Sequence, residues 1–226
     1  MYQFIESLLD YIFPRQCLGC SAYDWWLCPD CALKNLQADR CMVATALTAQ
    51  TGIASVFTLG PYKNPFWRDA VGLVKFHRVR SAAEPLGHVL AYSLRPLCDR
   101  YQRSPDAPPL AVPIPLHRKR LRSRGFNQSE LIARACCGSL GWQCEPSVLV
   151  RAVHAPSQTA QAMGQREQNV RGAYAVSQQG KSLIRGRDVV LFDDVVTTGS
   201  TVIAAAQEIK KHGPNSIHVV AVCRGR

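Results

Sequence analysis

Asp193 and Asp194 stand side by side between an apolar run, VVLF at 189–192, and a hydroxyl-rich stretch, VVTTGST at 195–201. Two like charges at the end of a buried strand repel each other and resist desolvation unless something compensates them. Carboxylates, which only accept hydrogen bonds, suit the hydroxyls of a sugar diol or the charge of a Mg²⁺ ion. The residues that follow, Thr197, Thr198, Gly199, Ser200 and Thr201, lead into a helical pattern. Backbone N–H groups, hydroxyls and a positive helix end make an anion site there, with Gly199 allowing close backbone approach. A diol reader followed so closely by a phosphate cradle describes a 5-phosphorylated ribose. The stretch has no lysine for a Walker loop and no G-x-G-x-x-G for a dinucleotide, whose pyrophosphate the aspartates would repel.

A second constellation lies near the N-terminus. Cys17, Cys20, Cys28 and Cys31 form two CxxC pairs. Each such turn presents two thiolates to one centre, and four soft ligands suit a tetrahedral structural Zn²⁺. Cys41 lies ten residues further on and could compete as a ligand. Cys98, Cys136, Cys137, Cys144 and Cys223 show no ligand spacing and read as small buried hydrophobes.

A third is basic. HRKRLRSRGFNQ carries Arg118, Lys119, Arg120, Arg122 and Arg124, just after the apolar stretch LAVPIPL. As a strand-end loop it could bind the pyrophosphate of a phosphoribosyl donor, or grip a DNA backbone with Phe126 adding stacking. A plain solvated charged loop is the competing reading. The chain's formal net charge is +11, and it is unevenly placed. Residues 1–50 hold three Lys/Arg against five Asp/Glu, which leaves 24 basic and 11 acidic side chains for the remainder. Such an excess points to polyanionic partners, phosphorylated metabolites or nucleic acid.

These groups need elements to hold them. SVFTLG, LAVPIPL, DVVLF and SIHVVAVC read as strands, and RDAVGLVKFHR, EPLGHVLAYSLRPL, NQSELIARACCGSLG and STVIAAAQEIKKHG as helices. Gly141 and Gly213 mark helix stops. Strands alternating with helices imply an α/β fold with a mostly parallel sheet covered on both faces. The division expected is residues 1–50, a helix plus a four-cysteine zinc knuckle too small for its own core, and 51–226, the α/β domain. Trp25 and Trp26 are expected to cover the metal site or pack on the next domain.

The opening segment MYQFIESLLDYIFP reads as an amphipathic docking helix. It lacks the basic n-region of a signal peptide, and its polar face carries Glu6 and Asp10. With no membrane span apparent, a cytoplasmic location is expected.

VVLFDDVVTTGST resembles the phosphoribosyl-pyrophosphate signature of type I phosphoribosyltransferases throughout. The two CxxC pairs, LVKF at 73–76, RLRSRGFNQSE at 120–130, and Gln158 with Arg166 and Asn169 together resemble the ComF competence family. The resemblance covers essentially the whole chain. It implies a zinc finger joined to a phosphoribosyltransferase-type domain in a protein of DNA uptake and natural transformation. In that pattern Asp193 and Asp194 hold the ribose hydroxyls and Thr197 through Thr201 the 5-phosphate, with Mg²⁺ accompanying phosphoribosyl pyrophosphate. Gln158, Arg166 and Asn169 belong to a flexible loop, in which Gln161 departs from the family's usual leucine. Single-stranded DNA and other competence or recombination proteins are the partners implied. No catalytic residue is assigned, since type I enzymes work mainly by electrostatic stabilisation. The alternative reading is a phosphoribosyltransferase of nucleotide salvage.

Overall fold

Both faces of the central sheet are covered, which is why its strands read as apolar runs rather than alternating ones. The structure, a computed structural model, describes residues 14–36, 51–102, 108–151 and 172–225, with side chains of 96–102 excepted. Strands β1 (Ser55–Pro61), β2 (Leu110–Pro113), β3 (Gln143–Cys144), β6 (Asp188–Val196) and β7 (Ser216–Arg224) form one sheet in the order β1-β7-β6-β2-β3. Every neighbouring pair in it is parallel. Strands β4 (Leu149–Arg151) and β5 (Tyr174–Val176) make a separate antiparallel ribbon.

Successive residues of β6 face opposite sides. Val190 and Phe192 enter a core with helices α2 (Pro65–Lys75), α3 (Ala83–Gln102) and α5 (Gln128–Leu140). Val189 and Leu191 enter a second core with α7 (Ser200–Lys210), the ribbon, and Ile184 from α6 (Gln178–Ile184). The four helices expected from periodicity after residue 50 are all present. Val71 and Val74 point inward as expected, and Leu73 is half-buried. Asn64 caps α2, its side chain accepting from Phe66 N at 2.9 Å ahead of Pro65. Gly141 closes α5 in the left-handed conformation at φ 69°.

The basic stretch is where the structure differs from the expectation. Arg118–Arg124 is a short helix, α4, not a loop. His117 starts it by accepting from Lys119 N, and Gly125 ends it at φ 84°. Arginine, lysine and leucine are all good helix formers, so once caps stand at both ends the charge run can coil. Phe126 is buried and cannot stack on a base; it packs in the first core beneath the Arg80 guanidinium, 5.4 Å from its ring centre.

The cysteine segment packs on the same core. Its helix α1 (Pro29–Asn35) and the turn before it contribute Leu27 and Ala32, beside Phe66 and Trp67. Trp67 Nε1 donates to the Asn35 carbonyl at 2.9 Å, and Trp26 Nε1 donates to Ser81 Oγ at 3.0 Å. Trp26 therefore packs on the α/β unit, while Trp25 is about half exposed. Cys136, Cys137 and Cys223 are buried, but Cys144 only partly so. Among the described residues no helix is long and apolar enough to cross a membrane. Residues 1–13, with the expected first helix, lie outside the described residues, as do Cys41, Gln158, Gln161, Arg166 and Asn169.

Candidate functional site

Strand β6 outruns its neighbour β2. The last paired residue of β2 is Pro113, opposite Phe192, so Asp193 and Asp194 project past it at the carboxyl end of the sheet. A cleft of about 400 Å³ opens there. In an open parallel sheet this is the end where ligands collect.

The two carboxylates are compensated by side chains distant in sequence. Lys75 Nζ, at the end of α2, lies 3.0 Å from Asp194 Oδ2. Gln128 Nε2 donates to the same Oδ2 at 3.0 Å, and Ser129 Oγ donates to Asp193 Oδ1 at 3.2 Å. Asp193 Oδ1 also accepts from Asp194 N at 2.8 Å. Gln128 and Ser129 open α5, whose N-cap Asn127 fixes the joint: its side chain accepts from Ser129 N and donates to the Ile114 carbonyl at 3.0 Å. The residue after β2 and the first turn of α5 are thereby tied together beneath the aspartates. Burial, reinforced by the Asp194 carboxylate, pushes the Asp193 carboxyl up to about 7. Asp194, itself buried, takes the ion pair.

Beyond the strand, Thr197 and Thr201 line the cleft. Gly199 sits at φ 79° and starts α7, and no side chain caps that helix. Thr198 Oγ1 instead holds the turn together, donating to Ser200 Oγ at 3.2 Å and accepting from Ser200 N at 3.4 Å. A helix N-terminus open to a cleft is a ready anion site. The turn fits closely against the end of the next strand: a Cβ at Gly225 would come 2.8 Å from Thr197 Cα.

The structure splits the basic run. Arg120 and Arg124 line the cleft, whereas Arg118, Lys119 and Arg122 do not. Residues four apart share a helix face, so Arg120 and Arg124 act as one pair and Arg118 and Arg122 as another. Arg124 also donates to Gln128 Oε1, so Gln128 bridges a guanidinium and the Asp194 carboxylate. Arg151, from the ribbon, adds a further cation; its guanidinium lies 5.5 Å from the Tyr174 ring centre. Lys75, Gln128, Ser129, Arg151 and Tyr174 were not singled out as site residues from sequence. Lys75 sits inside LVKF, and Gln128 and Ser129 inside RGFNQSE, so the signal was present as motif without a role. Arg151 carried no signal at all.

At the other centre, the ligand atoms of Cys17, Cys20, Cys28 and Cys31 all lie within 4.8 Å of one another. A tetrahedral zinc with sulfur at about 2.3 Å requires sulfurs roughly 3.8 Å apart. The Cys20 and Cys28 sulfurs are 3.7 Å apart, so the set fits. Burial opposes ionisation of Cys17, but N–H groups of Cys28, Gly19 and Cys20 outweigh it and draw the thiol down to about 6. Gly19 is required by packing, because a Cβ there would stand 2.6 Å from Cys31 Sγ. The cluster is capable of coordinating a metal ion and is consistent with a zinc knuckle.

The chain is similar to known proteins over most of its length. A model of the phosphoribosyl transferase domain matches residues 145–226, which include both aspartates and the open helix end but not Lys75, Arg120 or Arg124. DNA utilization protein YhgH of Escherichia coli K12 is 29% identical over 212 residues, covering 92% of this chain and 88% of that protein. Competence protein F of Haemophilus influenzae is 30% identical over 117 residues, covering 52% of this chain and 51% of that one. Among solved structures, glutamine phosphoribosylpyrophosphate amidotransferase from B. subtilis aligns with a TM-score of 0.43 at 20% identity, over 67% of this chain and 30% of that chain.

Proposed function

Because this chain belongs to the ComF and YhgH-like competence family, with its phosphoribosyltransferase-like parallel sheet, we propose that the cleft binds a 5-phosphorylated ribose in a DNA-handling protein of uptake and transformation. Phosphoribosyl pyrophosphate is the form that suits it best. The observation that carries this reading is the convergence of three chemistries on one cleft: the Asp193–Asp194 pair, the open end of α7, and the cations Lys75, Arg120, Arg124 and Arg151. The aspartates accept from the ribose hydroxyls. The N–H groups and hydroxyls of 197–201 take the 5-phosphate, and the guanidiniums of α4 take the pyrophosphate. Lys75 already neutralises Asp194, so a divalent cation would come in with the pyrophosphate rather than rest on the chain. Zinc in the knuckle would contribute folding energy and hold α1 against α2 and Trp26 against Ser81.

Single-stranded DNA is the macromolecular partner in this reading, with the protein acting in the cytoplasm, where free thiols and a zinc knuckle persist. The test is calorimetry with phosphoribosyl pyrophosphate and Mg²⁺ on wild type and on Asp193→Asn/Asp194→Asn. Binding to wild type and none to the double variant is expected. Equal affinity in both would remove the ribose assignment. The match to a transferase domain also favours a salvage enzyme; release of pyrophosphate on adding a free purine or pyrimidine base would establish that alternative.

A further inference from the structure

Two segments far apart in sequence meet beside the cleft. The first is the turn that follows α2, Phe76 to Arg80; the second is α4. Arg78, a non-glycine residue at φ 59°, donates from its guanidinium to Ser123 Oγ of α4 at 3.4 Å. Arg80 is fixed over the Phe126 ring, in the joint between α4 and α5. Between them the turn and α4 carry Arg78, Arg80, Arg118, Lys119, Arg120 and Arg122, all exposed.

Among the described residues, these cations have no ion-paired countercharge. Arg124 stands beside them at the cleft. Burial lowers its basicity, the Asp194 carboxylate opposes this, and the like charges of Arg120 and Arg78 lower it further. A crowd of guanidiniums without acids is stabilised by an external polyanion.

The turn also begins with a largely bare aromatic ring. Phe76 is 65% exposed, the most exposed large apolar side chain among the described residues, and directly follows Lys75, whose ammonium reaches Asp194 inside the cleft. Phe126, the aromatic inside the basic motif, is unavailable. A bare ring two residues before Arg78 and four before Arg80 offers what a single strand needs: phosphates on the cations and an unpaired base on the ring face. Bases of a duplex are already stacked on both sides and gain nothing from it.

We infer that Phe76 to Arg80 and α4 form a track for single-stranded DNA leading to the rim of the ribose-phosphate cleft, with Phe76 as its stacking platform. The track rests on the reading of the chain as a DNA-handling protein, and assigns that DNA a place outside the cleft. Arg120 and Arg124 lie at the junction, so the strand and the pyrophosphate meet there.

The experiment is fluorescence anisotropy with a labelled oligothymidylate, an abasic strand of equal charge, and an RNA of equal length. It uses the full chain, as wild type, Phe76→Ala, Phe76→Trp and Arg78→Ala/Arg80→Ala. Phe76→Ala should weaken oligothymidylate binding roughly tenfold and leave the abasic strand unchanged, while Phe76→Trp restores affinity. The double arginine variant should weaken both DNA strands and reduce the salt slope by about 1.4, roughly 0.7 for each phosphate no longer neutralised. Phosphoribosyl pyrophosphate affinity of Phe76→Ala, measured in parallel, should equal wild type, which shows the fold and cleft intact. If Phe76→Ala binds oligothymidylate as wild type does, the track is wrong while the DNA reading stands. If wild type binds no single strand, both fail together. Tighter binding of RNA would overturn the assignment to DNA.

Discussion

Lys75 Nζ lies 3.0 Å from Asp194 Oδ2, joining the last residue of α2 to a carboxylate near the end of β6. The lysine side chain is about a quarter exposed and the aspartate almost fully buried. This pair explains how adjacent aspartates can stand at the end of a buried strand: one is neutralised by the chain itself.

Removing the cation should therefore be costly. Lys75→Met leaves the buried Asp194 without its ion-pair partner, and breaking such a pair costs about 3 kcal/mol. Lys75→Met/Asp194→Asn should recover much of that loss, because the buried charge disappears with its partner. Urea denaturation of the two variants measures it, and a double variant no more stable than Lys75→Met would show the pair is not what holds this region.

A pH dependence follows from Asp193, raised from 3.8 to about 7 by burial and by Asp194. At Asp193 the folded state then binds more protons than the unfolded one between those values, so the contribution of this group to stability falls as pH rises through that window and levels off above about 7. Asp193→Asn cannot ionise. The stability difference between this variant and wild type should be small near the lower value and grow in the variant's favour up to neutrality. Denaturant midpoints across that range check the sign; parallel curves for the two proteins would contradict it.

The faces of α4 give a divided outcome. Arg120→Ala/Arg124→Ala should weaken phosphoribosyl pyrophosphate roughly tenfold or more, since hydrogen bonds to charged groups are worth about 1.5–3 kcal/mol each. Arg118→Ala/Arg122→Ala should leave that affinity alone and lower only the affinity for single-stranded DNA and its salt slope. Calorimetry and anisotropy on both variants separate the faces. Identical behaviour of the two pairs would mean the helix face is irrelevant.

The knuckle predicts a metal and a packing readout. Elemental analysis should find about one zinc per chain, lost in Cys17→Ser/Cys20→Ser. Chelation should also loosen the packing of α1 on α2, and so shift the fluorescence of Trp26, whose indole N–H reaches Ser81. Gly19→Ala should retain less zinc, because its Cβ would displace Cys31. Full zinc retention in the double serine variant would move the site to other ligands, Cys41 first.

Much of this protein is local chemistry and was legible in its residues. Helix and strand periods, the stops at Gly141 and Gly213, the CxxC spacing, and two aspartates ahead of TTGST all act within a few residues of one another. What compensates those aspartates acts over far longer separations: Lys75 stands 119 positions from Asp194, and Gln128 stands 66. Only the order β1-β7-β6-β2-β3, with β2 ending short of β6, brings the ends of α2 and α5 to the same carboxylates. Composition marks RKRLRSR as basic but does not say that it coils, and coiling alone sends Arg120 and Arg124 to the cleft while Arg118 and Arg122 stay outside it. Phe126 and Phe76 are the same residue type beside similar charges, yet one is buried and the other bare. That difference is set by which neighbours the packed core supplies, because burial depends on the whole surrounding surface and not on the residue's own sequence context.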